Sequence, residues 1–349
     1  MLSYIIVGSG YRAEYFGRIA AAYPSLFRAM YLCRSEEKAA LMKARTGMEA
    51  TTSRDACVSF RPDFVVIAVD WAHVADVAEE WLDYPVVTET PVGNTLEKLN
   101  RLWSLHRQGA KIVCCEQYHR YPILAAGLTA IQEGKIGEPS SLYISLCHDY
   151  HAASLIRKAL RISGGEAYTL RGERKQSPVV QTDSRTGAIT DGSVSPAERT
   201  ILHITFASGK TAIYDFASVE YRSFIRSRHL TVRGERGEWS DCIVYGLDEK
   251  SRPQRVFLLP EIAEKYERLD TQALRDLRKT WHPELFLDTA QDEFAITSIL
   301  LDMEDYLHGG PSPYPLQDAL DDARFLLAME EAVRQPWKEV TVHGMPWWA

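Results

Sequence analysis

Cysteine is scarce in this chain: six residues in 349, with no Cys-x-x-Cys pair. That spacing excludes a disulfide framework and a zinc knuckle. Long apolar runs are missing too. The longest, such as residues 64–69, fall far short of the roughly 20 residues a membrane span needs. A strand-like segment starts almost at the N-terminus, which leaves no room for a signal peptide. Positive charge is in deficit, with 40 Lys and Arg against 47 Asp and Glu and a net charge of −7. Phosphate backbones demand a surplus of Lys and Arg on one face, so no nucleic-acid partner and no membrane partner is expected. No internal repeat or low-complexity tract breaks the pattern. These absences lead to the expectation of a cytoplasmic protein with reduced thiols.

What is present is an ordinary globular composition, 46% hydrophobic and 25% charged, long enough for two domains. The first third alternates short β-branched runs with helical patterns. Strands are expected at residues 4–7, 27–33, 64–69, 85–88 and 111–115, separated by helices such as 35–46, which Gly47 closes. Alternation of that kind predicts right-handed crossovers and a mostly parallel sheet. After Tyr121 the pattern changes. Residues 201–206 and 211–216 alternate around a four-residue turn and predict a hairpin. Further strands are expected at 142–146, 229–233, 243–245 and 256–259. The polar stretch 176–198 reads as a long surface loop, and helices are expected at 122–134, 283–308 and 317–333. The predicted fold is an α/β Rossmann domain over residues 1–121, followed by an α+β domain with an open, mainly antiparallel sheet over residues 122–349.

Gly8, Ser9, Gly10, Tyr11, Arg12 and Ala13 form G-x-G-x-x-A where the first strand turns into a helix. The first glycine permits the tight turn, and the second lets backbone approach a pyrophosphate. The small Ala13 allows close helix–strand packing, and the helix N-terminus supplies N–H groups and positive dipole. The plainer reading is a tight turn with no ligand. An acidic residue would be expected at the end of the second strand to bind a ribose hydroxyl, but Arg34 and Ser35 stand there instead. Arg34 suits a 2′-phosphate, with Ser35 as a further donor, which favours NADP over NAD. The alternative is that Arg34 is a solvated loop residue.

At this point the chain resembles the Gfo/Idh/MocA oxidoreductases, the family of glucose-fructose oxidoreductase and inositol dehydrogenase. The resemblance runs nearly end to end. It includes Gly8 to Ala13, the strand ending at Val69 with His73 after it, and Thr88-Glu89-Thr90-Pro91. It continues through Gln117-Tyr118-His119-Arg120-Tyr121-Pro122, the turn 134–137, and Gly234-Glu235-Arg236-Gly237-Glu238. Residues 313–333 look like that family's closing helix, packed back on the first domain. The resemblance implies a nicotinamide lying against an open antiparallel sheet, with Val69, His73, Glu89, Thr90 and Pro91 near it. It also implies hydride transfer at a carbinol carbon of a sugar, polyol or similar small molecule, in a homo-oligomer joined through the C-terminal sheet.

Three motif positions depart from the family. Thr90 stands where the family carries a lysine, and a neutral threonine cannot stabilise a developing alkoxide by charge. In Cys147-His148-Asp149-Tyr150-His151, His151 matches the family's histidine, but Cys147 and Ser154 occupy places where acids are expected. His151 is the candidate proton carrier. Asp149 is its candidate partner, on the same face if the stretch is extended; the plainer alternative is a satisfied polar pair. His119, Arg120 and His148 are candidate substrate contacts. No metal site is expected, because Cys147, His148 and His151 lack a zinc spacing and a fourth ligand. The departures keep open a second reading, a dinucleotide-binding protein with little or no catalysis that serves as a sensor or partner subunit.

Overall fold

The computed structural model describes residues 1–184, 187–259, 264–269 and 289–348. The chain divides into two compact units, Met1–Gln117 with Thr289–Ala323, and Tyr118–Asp288 with Arg324–Ala349.

The first unit is built on six parallel strands: β1 (Leu2–Val7), β2 (Phe27–Leu32), β3 (Glu49–Thr51), β4 (Phe64–Ile67), β5 (Val86–Thr88) and β6 (Ile112–Cys114). Their spatial order is β3-β2-β1-β4-β5-β6. Between them run α1 (Tyr11–Ala22), α2 (Glu36–Thr46), α3 (Arg54–Ser59), α4 (Val74–Glu80) and α5 (Leu96–Arg107). β4 is fully buried over its whole length, as a parallel strand covered on both faces must be. Ser35 caps α2 by accepting from the Lys38 N–H, and Gly47 ends it in a left-handed conformation, the start and stop that the sequence predicts. Only the three-residue β3 escapes the sequence reading.

In the second unit α6 (Pro122–Gln132) leads into β7 (Pro139–Ser145), and α7 (Asp149–Ala159) follows. The sheet then collects β8 (Tyr168–Val180), β11 (Val194–Phe206), β12 (Thr211–Ala217), β13 (His229–Gly234), β14 (Gly237–Ser240), β15 (Ile243–Leu247), β16 (Pro253–Phe257) and β17 (Val340–Val342). Two short strands, β9 (Asp183–Ser184) and β10 (Gly187–Ala188), pair with each other at the tip of the β8–β11 connection. The nine-stranded order is β16-β15-β14-β13-β7-β12-β11-β8-β17. Every pairing is antiparallel except β12 with β7. The hairpin predicted at 201–216 is present, with Thr205 opposite Thr211. One face of the sheet is apolar and buried, through Leu142, Ile144, Leu202, Ile204, Leu230, Val232 and Trp239.

Two expectations need correction. The stretch 176–198 is not a single long loop: β8 and β11 extend through it, paired from Tyr168–Phe206 out to Val180–Val194. Apart from the buried Val179 and Ala197 their outer ends are exposed or half-buried, so Lys175, Gln176, Ser177 and Glu198 carry no alternation for a sequence reading to catch. The segment after β7 is helical from Asp149 onward, not extended. Asp149 and His151 are therefore two apart on a helix, a spacing whose side chains do not share a face. The helix expected from Pro283 is described as α8 (Thr289–Leu307), and its first expected residues, 283–288, lie outside the described residues. The last helix, α9 (Leu316–Arg334), matches its expected span closely.

Candidate functional site

All the residues suggested by the glycine motif and its neighbours fall in segments that follow the C-terminal ends of parallel strands. Gly8 to Ala13 follow β1, Arg34 and Ser35 follow β2, Val69 and His73 follow β4, and Glu89 to Pro91 follow β5. The order reverses between β1 and β4, which is where a doubly wound sheet opens a crevice for ligands.

The two motif glycines do different work. Gly8 has φ +134°, and a Cβ there would lie 2.3 Å from the Ala68 carbonyl oxygen, so only glycine fits between β1 and the end of β4. Gly10 has an ordinary φ of −88°, and a Cβ there would meet nothing within 4 Å. The fold leaves room in front of Gly10 that packing does not require. Gly10 is also the N-cap of α1 and supplies no side-chain cap to the first turn. Those two facts fit a bound pyrophosphate.

Arg12 turns inward from this turn. It donates to Glu89 Oε1 at 3.0 Å through Nε and to Asp292 Oδ2 at 2.9 Å through Nη1. Asp292 also accepts from the Gln117 amide at 2.9 Å, and Glu89 accepts from the Thr90 N–H at 3.0 Å. Burial works against the guanidinium charge, but Glu89 and Asp292 outweigh it and hold the Arg12 pKa well above its ordinary value. The guanidinium is thus a positioning cation between two carboxylates, while its backbone remains in the turn. Asp292 is the member that sequence reasoning missed. Arg34 is exposed. Ser35 spends its oxygen lone pair on the α2 cap but keeps its hydroxyl proton to donate. His73 is exposed, 3.8 Å from Asp76.

In the second unit the start of α7 carries His148, Asp149, Tyr150 and His151, and the three rings neighbour one another. His151 is buried, its ring 4.3 Å from that of Tyr118 and 4.4 Å from that of Tyr150. The His148 N–H donates to the Tyr221 hydroxyl at 2.7 Å, and the Tyr118 hydroxyl donates to the same oxygen at 3.4 Å. Burial, then the neighbouring His151, push the His148 pKa down to about 4. The Asp149 carboxyl is pushed up to about 6, chiefly by desolvation. A histidine held neutral and a carboxyl titrating near neutrality in one cluster is the environment in which acid–base roles arise. His119 is also held neutral, by burial and then by Lys158 and Arg120, while Arg120 donates to the Tyr266 hydroxyl at 2.9 Å. Tyr118 lies inside a run singled out in the sequence; Tyr221 had no signal of its own. Among the described residues no group of three or more His, Cys, Asp or Glu side chains forms a metal site. No described helix is long and apolar enough to cross a membrane.

No protein-family model matches the chain, and no curated protein does. Solved structures do. An oxidoreductase from Agrobacterium radiobacter, in complex with NAD+, L-tartaric acid and magnesium, has a TM-score of 0.69 at 13% identity, over 97% of this chain and 98% of the other. Levoglucosan dehydrogenase in complex with NADH and levoglucosan has a TM-score of 0.69 at 16% identity, over 98% and 99%. An NAD binding oxidoreductase from Klebsiella pneumoniae has a TM-score of 0.67 at 16% identity, over 99% and 100%. The structural neighbours are oxidoreductases of the Gfo/Idh/MocA type, and this chain has their fold.

Proposed function

We propose that the chain is an oxidoreductase that moves a hydride between a nicotinamide dinucleotide and a carbinol carbon of a sugar, polyol or similar hydroxylated small molecule. The observation that carries this reading is the open space at Gly10, before an uncapped helix, at the reversal point of the sheet. The neighbours' ligands, NAD+ or NADH with levoglucosan or L-tartaric acid, support the same class of chemistry.

The Tyr11, Arg12 and Ala13 backbone would hold the pyrophosphate, and Arg34 with Ser35 would hold a 2′-phosphate, which favours NADP over NAD. Glu89, Thr90 and Pro91, with Val69 and His73, would line the nicotinamide end. When bound, the nicotinamide supplies the hydride acceptor or donor. The chain's own task is the alcohol proton, which His151 takes during oxidation and returns during reduction. Asp149 assists by its charge, since His151 in turn draws the Asp149 carboxyl downward. Thr90 offers a hydroxyl and no charge, so turnover should be slow or narrowly specific. His119, Arg120 and His148 are assigned to the substrate side. We also assign a cytoplasmic setting, with all six cysteines buried and none in a disulfide.

The open face of the nine-stranded sheet carries exposed Ile213, Tyr245 and Leu247, which suits pairing with a second copy of the chain. The test of function is a panel of sugars, sugar acids and polyols assayed with NADP and NAD in both directions, following the absorbance of the reduced nicotinamide. Turnover of at least one hydroxylated compound is expected. A protein that binds dinucleotide and turns over nothing in a broad panel would defeat the enzyme reading.

A further inference from the structure

The second unit has a half-open cavity of about 780 Å³ lined by residues of the segment 220–229 and by Thr182, Asp183, Ala188 and Asp241. Its size is that of a small-molecule site. Three arginines line it, Arg222, Arg226 and Arg228. The acids in its wall are already committed: Glu220 accepts from the Ser145 hydroxyl and the Ala217 N–H, and Asp241 from His229 Nδ1 and the Leu230 N–H. Asp183 accepts from the Ser184 N–H. Among the described residues Arg222 has no acidic partner, and the described bond of Arg226 is to the carbonyl of Ile225. Arg228 lies over the Tyr221 ring at 5.7 Å. The loop is tied to the β8–β11 connection, where the Phe224 N–H donates to Thr182 Oγ1 at 2.8 Å.

Tyr221 links this cavity to the chemistry. It lines the cavity, and its hydroxyl accepts from the His148 N–H. Its ring sits 4.9 Å from that of His148. A ligand that filled the cavity would therefore end against the wall of the His148–His151 cluster. Guanidinium groups that lack carboxylate partners in a concave site are suited to an oxyanion.

We propose that this cavity holds an anionic group, a carboxylate or a phosphate, of the small-molecule substrate, with Arg222 and Arg226 as its charged donors. Only the word substrate rests on the proposed oxidoreductase function; the anion site stands on the cavity itself. It narrows the substrate class from neutral polyols to sugar acids or phosphorylated sugars.

The test is calorimetric titration of the full chain at low salt with D-gluconate, with inorganic phosphate, and with sorbitol as the neutral control. At least one anion should bind at a single site and sorbitol should not. Gluconate alone indicates a sugar acid, and phosphate alone a phosphorylated sugar. Arg222→Gln and Arg226→Gln should each weaken anion binding about tenfold or more. Arg255→Gln, an exposed arginine on β16, should leave it unchanged, and NADPH affinity should be the same in all variants. Binding of neither anion, or binding that both cavity variants retain in full (an adventitious ion only), would overturn the proposal. Anion binding in a protein that binds no dinucleotide would retire the oxidoreductase reading and leave this site standing.

Discussion

Gly8 and Gly10 sit two residues apart, yet the fold makes opposite demands on them. At Gly8 a methyl group would meet the Ala68 carbonyl at 2.3 Å in a left-handed backbone, so Gly8→Ala should lose about 3 kcal/mol or more of stability in denaturant unfolding. At Gly10 a side chain meets open space in an extended conformation, so Gly10→Val should keep wild-type stability within about 1 kcal/mol. Its effect should fall on ligand binding instead. Arg34→Ala should narrow the gap between NADP and NAD affinities, since a charge-assisted contact contributes about 1.5–3 kcal/mol; an unchanged ratio would contradict the assignment. His151→Ala should lower turnover by about 10²–10⁴-fold with cofactor affinity unaltered.

The α7 cluster also predicts a pH signature. His148 has its folded pKa lowered to about 4 from 6.5, so the unfolded chain binds the extra proton between those values and stability rises with pH there. Asp149 has its folded pKa raised to about 6 from 3.8, so the folded chain binds the extra proton and stability falls as pH rises from 3.8 to 6. Each shift corresponds to about 3 kcal/mol, with opposite sign. The two contributions nearly cancel in the wild type between pH 4 and 6. Removing Asp149 as Asn should uncover the rising limb, so that the variant gains stability relative to wild type as pH increases through this window. Unfolding titrations at several pH values check it, and a flat difference would show that Asp149 titrates as an ordinary carboxyl.

At the scale of elements, α6 and the central sheet show how tightly the second unit is assembled. A Cβ at Gly127 of α6 would lie 2.0 Å from the buried Trp239 ring of β14. Helix propensity alone favours alanine by about 1 kcal/mol, but overpacking costs about 1–3 kcal/mol and the ring has nowhere to go. Gly127→Ala should therefore be destabilising, and a stabilised variant would contradict the packing. The elements that sequence made legible are those with a strong period or a cap. β1, β2, β4, β5 and β6 announce themselves as apolar runs, and α2 by Ser35 and Gly47. What escaped had no such mark: β3 and β17 are three residues long and β14 four, and the outer halves of β8 and β11 bury only Val179 and Ala197 between polar or exposed neighbours. Among site residues, the glycine turn was visible because local spacing carries it, and His151 through the family resemblance. Asp292 was not, because it meets Arg12 across 280 positions of sequence, and no periodicity encodes a contact of that range.

On the scale of the whole molecule, the first unit offers an open turn at a helix N-terminus and the second a cluster of titratable side chains beside a cationic cavity. The open sheet face predicts an assembly larger than the 39.5 kDa monomer in light scattering. Tyr245→Asp should shift that assembly toward monomer while leaving dinucleotide affinity unchanged. The central claim, that the Gly10 turn is a nicotinamide dinucleotide site, is tested most directly by calorimetric titration of wild type and Gly10→Val with NADPH. Saturable binding to the wild type, lost in a variant that unfolds at the wild-type denaturant midpoint, is the result predicted. Equal binding to both proteins, or to neither, would contradict it.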